Sequence, residues 1–220
     1  MRTNGVEPKR KGPWKPQHTA KTVLAIDPGR NFAACGWNGY LNQVIIAQGT
    51  THKSDIPIVH RMDMVREVVE DALRLFTLYR GVEITALEYP IPFYRASRES
   101  IAAVNLHAGV WAGLCEDTDI QMFSPGNSKN LPVWNHKGEG VAEAEAWLAA
   151  HTYKNLHPDS LDNALDCDVK SLCIEFPKFL DCAKVRLTGD AKSAVGIWLA
   201  CLRYNNIKPP VNPAVFYVQL

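Results

Sequence analysis

Three acidic residues stand where the sequence changes character. Asp27 closes the apolar run 23–26 and opens Asp-Pro-Gly, Glu88 closes the run 82–87, and Asp190 begins an apolar-periodic stretch after Thr188-Gly189. The first two positions are strand ends and the third is a helix start. Ligands of open α/β sheets gather beyond the carboxyl ends of parallel strands, so Asp27 and Glu88 become neighbours if their strands pair in parallel. Carboxylates forced together repel and raise one another's pKa unless a cation compensates. Oxygen donors without His or Cys nearby suit Mg2+ or Mn2+ rather than zinc. Two such ions about 3.5–4 Å apart can activate a water and stabilise the leaving oxygen of an in-line displacement at phosphorus, which makes phosphodiester hydrolysis the matching reaction. Each acid also has a purely structural reading: a turn at Asp27, an exposed strand end at Glu88, a helix cap at Asp190. Their joint occurrence in one topology favours the site.

The elements that must position these acids are legible over much of the chain. Val23, Leu24, Ala25 and Ile26 suit a strand covered on both faces. Runs 32–37 and 41–48 flank Asn38-Gly39-Tyr40, a hairpin signal, so the opening reads as a three-stranded antiparallel meander. Over 59–80 the period changes: Met62, Val65, Val69, Leu73, Phe76 and Tyr79 recur at helical spacing, and Gly81 stops the helix. A strand over 82–88, a loop over 89–96, a helix capped by Ser97 and a strand over 120–123 complete a β-α-β-α-β order, which implies parallel pairing added to the meander. Residues 141–151 read as a helix, and 155–187 show weak periodicity. A last helix from Asp190 carries Ala194, Ile197, Trp198 and Cys201 inward, and residues 204–220 read as a Pro-rich tail. No internal repeat is visible.

Composition bounds the partners. A chain of 220 residues with 46% hydrophobic and 21% charged residues supports one sizeable domain and is not disordered throughout. The formal net charge of +1 hides an asymmetry, because residues 1–21 carry six cations against Glu7, a net +5, and leave −4 for the remainder. A mobile basic arm joined to a mildly acidic body is expected. No run approaches the ~20 apolar residues that cross a bilayer, and no apolar stretch follows the first cations as in a secretory signal, so a cytoplasmic protein is expected. The six cysteines form no C-x-x-C pair and read as free thiols in a reducing compartment.

Taken together, VLAIDPGRNFAACGW, ITALEYP, QMFSPGNSK and TGDAKSAVGIWLA resemble, in that order, the motifs of RuvC-type Holliday-junction resolvases, members of the RNase H-like superfamily. The blocks span most of residues 22–203. The resemblance implies an RNase H-like domain over 22–203, built on a mixed five-stranded sheet (the meander plus two parallel strands) flanked by helices. It further implies a homodimer that places paired nicks in branched DNA, with two Mg2+ ions per site for which Mn2+ can substitute. Asp27, Glu88 and Asp190 then take the catalytic metal-ligand roles. The family commonly has an acid or a histidine three positions after the equivalent of Asp190, where this chain has Ser193. Ser193 shares a helix face with Asp190 and could still face the metals or hold a ligand water, although a hydroxyl is a poorer ligand than a carboxylate. Segment 127–189 looks longer than its counterpart in cellular members, which suggests a divergent phage or viral version.

DNA contacts are expected where aromatics and cations interleave after Glu88, at Phe93, Tyr94, Arg95 and Arg98, a chemistry suited to stacking on unpaired bases and neutralising phosphates. Lys129 and Lys192 are further phosphate candidates, and the arm could add sequence-independent affinity. The helix over 98–116 is the expected dimer interface. Competing readings are a nuclease for RNA or DNA flaps, a non-catalytic junction-binding protein suggested by Ser193, and an actin-like ATPase, for which 220 residues are too few. No nucleotide cofactor and no membrane partner are expected.

Overall fold

The structure, a computed structural model, describes residues 21–39, 42–51, 56–57, 60–77, 81–89, 98–151, 153–156 and 187–220. Strands β1 (Thr22–Asp27), β2 (Asn31–Asn38) and β3 (Gln43–Thr50) form the meander, followed by helix α1 (Arg61–Thr77), β4 (Ile84–Glu88), α2 (Arg98–Leu114) and β5 (Asp119–Phe123). Then come α3 (Glu139–Ala150), β6 (Tyr153–Leu156), α4 (Gly189–Tyr204) and β7 (Ala214–Gln219). All seven strands lie in one sheet, ordered β5-β4-β1-β2-β3-β7-β6. β1, β2 and β3 pair antiparallel, while β4 joins β1 and β5 joins β4 in parallel. That half of the sheet has the strand order and directions expected for an RNase H-like fold.

Alternation along β1 explains the layering. Val23 and Ala25 point to one face and Leu24 and Ile26 to the other, all four fully buried, because helices cover both sides. α4, with Trp198 and Ile197, covers the first face, together with α3 through Ala144 and Leu148. α1 and α2, through Val65, Val69, Phe76 and Trp111, cover the second. The helical period in α1 fixes this face, except that Met62, grouped by spacing with the buried row, is 57% exposed. Gly36 is required by close approach: a Cβ there would sit 2.2 Å from a ring carbon of Phe76.

Two expectations are corrected. The sheet has seven strands rather than five, and the stretch read as a tail contains β7, which pairs in parallel with β3 and, on its other edge, with β6. The physical reason is that β3 is buried on both faces over most of its length and would otherwise present an unpaired edge. Val215, Phe216, Tyr217 and Val218 are all buried, a β-prone run masked in the sequence by the preceding prolines. The basic arm, apart from Lys21, and most of 155–187 lie outside the described residues. No described helix is long and apolar enough to cross a membrane.

The Gly36 contact gives a direct test. Gly36→Ala should destabilise the protein by about 1–3 kcal/mol in denaturant unfolding, the usual range for an overpacked core, and Phe76→Leu in the same chain should recover part of that loss.

Candidate active site

The parallel register of β1 on β4 sets Ile26 beside Leu87, so Asp27 and Glu88 leave the sheet side by side at its carboxyl edge. Asp190 reaches the same place from α4, which packs across β1 and β2. α4 starts at a defined point because the Thr188 hydroxyl accepts from the Ala191 N–H at 3.2 Å, capping the helix and leaving Asp190 in its first turn.

Thr188 is itself held. Its hydroxyl donates to Gln48 Oε1 at 2.8 Å, Gln48 Nε2 donates to Gln219 Oε1 at 2.8 Å, and the Tyr217 hydroxyl donates to the same oxygen at 2.7 Å. β3 and β7 are thus tied to the start of the helix that carries Asp190. Gln48 has no motif around it, and only its long-range pairing reveals this role.

Burial raises all three acids, and like charge adds to the shift of two of them. Asp27 is pushed up to about 7 by burial, then by the charge of Asp190, partly offset by a hydrogen bond from Ser193. Glu88 rises to about 8 through burial, then the charge of Asp27 and, more weakly, that of Asp190, with the Trp134 indole acting in the opposite direction. Asp190 is also raised by burial, against a hydrogen bond from its own backbone N–H. No cationic side chain among the described residues is part of this balance. A confined group of carboxylates with no positive partner among the described residues is suited to binding a cation.

The donor set fits a hard divalent ion, since it supplies carboxylate oxygens and a hydroxyl and no soft ligand. Its spacing is open: among the described residues no three His, Cys, Asp or Glu converge closely enough to hold a metal as placed. The acids are joined electrostatically but not drawn onto one point.

The other expected residues divide. Ser193 is 3% exposed and is turned to Asp27, so its hydroxyl supports that carboxylate. Lys192 is engaged by Glu145 at 2.6 Å and ties α4 to α3. Arg98, at the start of α2, and Lys129, in the loop after β5, are exposed. Phe93, Tyr94 and Arg95 lie outside the described residues. Trp134 follows no periodic pattern in the sequence, so no local signal marks it, and its indole belongs to the surroundings of Glu88.

The raised acids fix the sign of a pH effect. Between the unfolded value near 3.8 and the folded value near 7, Asp27 holds a proton in the native state that the unfolded chain has released. Stability supplied by the protonated form is therefore complete below pH 3.8 and lost as pH rises to about 7. Without divalent cations, Asp27→Asn should be more stable than the parent, by an advantage that grows over this window to about 1–3 kcal/mol. Thermal melts across the pH range in EDTA check this; an advantage independent of pH would refute it. A second test concerns the clamp: Gln48→Ala should speed amide exchange in the first turn of α4 about tenfold, the effect of losing roughly one hydrogen bond, while leaving exchange at β1 unchanged.

No protein-family model matches the chain, and no curated protein matches it. Among solved structures it is similar to T. thermophilus RuvC in complex with a Holliday junction substrate, at a TM-score of 0.47 and 14% identity over 84% of this chain and 95% of that one. It is also similar to the yeast mitochondrial Holliday junction resolvase Ydc2, at 0.40 and 14% over 87% and 85%. The human cytomegalovirus terminase nuclease domain follows at 0.39 and 10%, again over 87% and 85%.

Proposed function

We propose that this protein is a divalent-metal-dependent endonuclease of the RuvC type that cuts branched DNA, four-way junctions above all, by hydrolysing phosphodiesters in pairs. The observation that carries this reading is the confinement of Asp27, Glu88 and Asp190 at one sheet edge, with Asp27 at about 7, Glu88 at about 8 and no positive partner among the described residues. Such a site repels phosphate until its own charge is compensated.

Asp27, Glu88 and Asp190 would hold Mg2+, or Mn2+ in its place. When bound, the ions supply activation of a water and stabilisation of the leaving oxygen. The chain's own residues do the rest. Ser193 holds the Asp27 carboxylate by a hydrogen bond, and the capped start of α4 fixes Asp190. Arg98 and Lys129 are exposed, which suits contact with phosphates on either side of the cut. Lys192 would have to leave Glu145 to take part. Paired nicks require two copies, and the helix expected at the dimer interface supports close approach. α2 exposes Ala102, Asn105, Gly109 and Gly113 along one strip, and the two glycines have open space where a Cβ would stand.

A flap or RNA nuclease would use the same acids, and the substrate separates the readings. On synthetic four-way junctions, duplex, flap and RNA–DNA hybrid, the parent should cut junctions with Mg2+ or Mn2+ and nothing in EDTA. Asp27→Asn and Glu88→Gln should lose more than about 100-fold in cleavage, as expected when several kcal/mol of metal assistance is withdrawn, while retaining junction binding. Undiminished cleavage by either variant refutes the site. Faster cutting of flap or hybrid than of junction refutes the substrate assignment.

A further inference from the structure

The loop between β5 and α3 is returned to the end of β5 by backbone bonds and delivers one indole into the interior. Ser124 forms a parallel bridge with Val133, the Ser124 N–H donates to the Pro132 carbonyl at 2.8 Å, and the Trp134 N–H donates to the Ser124 carbonyl at 3.0 Å. Trp134 is thereby delivered from the end of β5, the strand that pairs Phe123 with Glu88. It is 0% exposed. Two glycines make its seat. A Cβ on Gly196 of α4 would stand 3.0 Å from the indole ring, and one on Gly140 of α3 would stand 1.8 Å from the Trp134 carbonyl oxygen. The ring is gripped by α4 and the backbone by α3, so its orientation is set by the same helix that carries Asp190 and Ser193.

Within this seat the indole N–H has no hydrogen-bond partner. A buried donor left unmade is costly, roughly 1–3 kcal/mol, and it needs a reason. The N–H lies beside Glu88 and favours its ionised form while falling short of hydrogen-bond geometry. Trp37, Trp111 and Trp198 also keep unpartnered N–H groups, but none of them acts on Asp27, Glu88 or Asp190. Trp134 is therefore a donor held in reserve at the acid that ends β4.

We propose that Trp134 is the positioning residue for Glu88, its indole N–H closing onto one carboxylate oxygen and leaving the other for a divalent cation. The inference rests on the metal-site reading above. An ionised carboxylate has two oxygens, and a fixed donor on one of them selects the rotamer in which the other faces the ion, the usual way a protein orients a ligand carboxylate. A rigid, planar donor without a charge suits this role, because a lysine or arginine there would neutralise the site and compete with the ion.

The test uses the full chain without DNA. Mn2+ binding by calorimetry should weaken about tenfold in Trp134→Phe, which keeps the ring and removes the N–H, the lower end of the range for losing such a support. In a Glu88→Gln background the same change should alter affinity less than twofold, because the partner is already gone. An independent reading on the unsubstituted protein is the Trp134 indole N–H resonance, which should move downfield on Mg2+ saturation and stay in place in Glu88→Gln. Unchanged Mn2+ affinity in Trp134→Phe, an equal loss in both backgrounds or an unmoved resonance overturns the proposal. Trp134-dependent metal binding without junction cleavage would uphold this inference and overturn the substrate assignment, whereas absence of Mn2+ binding by the parent would overturn both.

Discussion

Confinement of like charge is the constraint on which the rest of the molecule depends. Parallel pairing of β1 with β4 brings Asp27 and Glu88 to adjacent strand ends, and the first turn of α4 adds Asp190. Burial is the largest influence on all three, and on Asp27 and Glu88 the charge of neighbouring acids adds to it. Such an arrangement persists only where the surroundings over-determine it. β1 supplies that rigidity: its four central residues are fully buried between two helical layers, so the strand cannot retreat from its neighbours.

The supports around the acids differ in kind. The α3–α4 ion pairs, Lys192 with Glu145 and Arg203 with Glu143, are exposed and contribute little to stability. The polar chain Tyr217–Gln219–Gln48–Thr188 is partly buried and directional, and it fixes where α4 begins. Ser193 and Trp134 act on single carboxylates, a hydroxyl on Asp27 and an indole on Glu88. The position that carries an acid or a histidine in the resembling family thus carries here a group that steadies another acid.

What was legible in the sequence follows range. The apolar run before Asp27, the helical period of α1 and the acids at element ends are local signals, and they gave the meander, the two added parallel strands and the three acids that the structure brings together. Features set by distant partners were hidden. β7 was obscured by the prolines before it and declares itself only against the β3 edge. Trp134 lies in an aperiodic stretch, and its seat is made by Gly140 and Gly196. Gln48 is an ordinary strand residue until Thr188 and Gln219 arrive beside it. Phe93, Tyr94 and Arg95, read from sequence chemistry as DNA contacts, lie outside the described residues.

The placement of β7 between β3 and β6 has a consequence for the order of assembly. β6 is synthesised first and finds its strand partner only when β7 follows, and β3 waits across a separation of 171 residues for the Gln48–Gln219 contact. Loop closure on that scale comes late in folding. A nascent chain that has already emerged through Asp190 therefore carries every acid of the site but lacks the clamp on α4. The placement of Asp190 beside Asp27 and Glu88 thus becomes a property of the completed sheet rather than of its first five strands, and a growing chain holds these carboxylates without the tie that fixes them until the fold is closed.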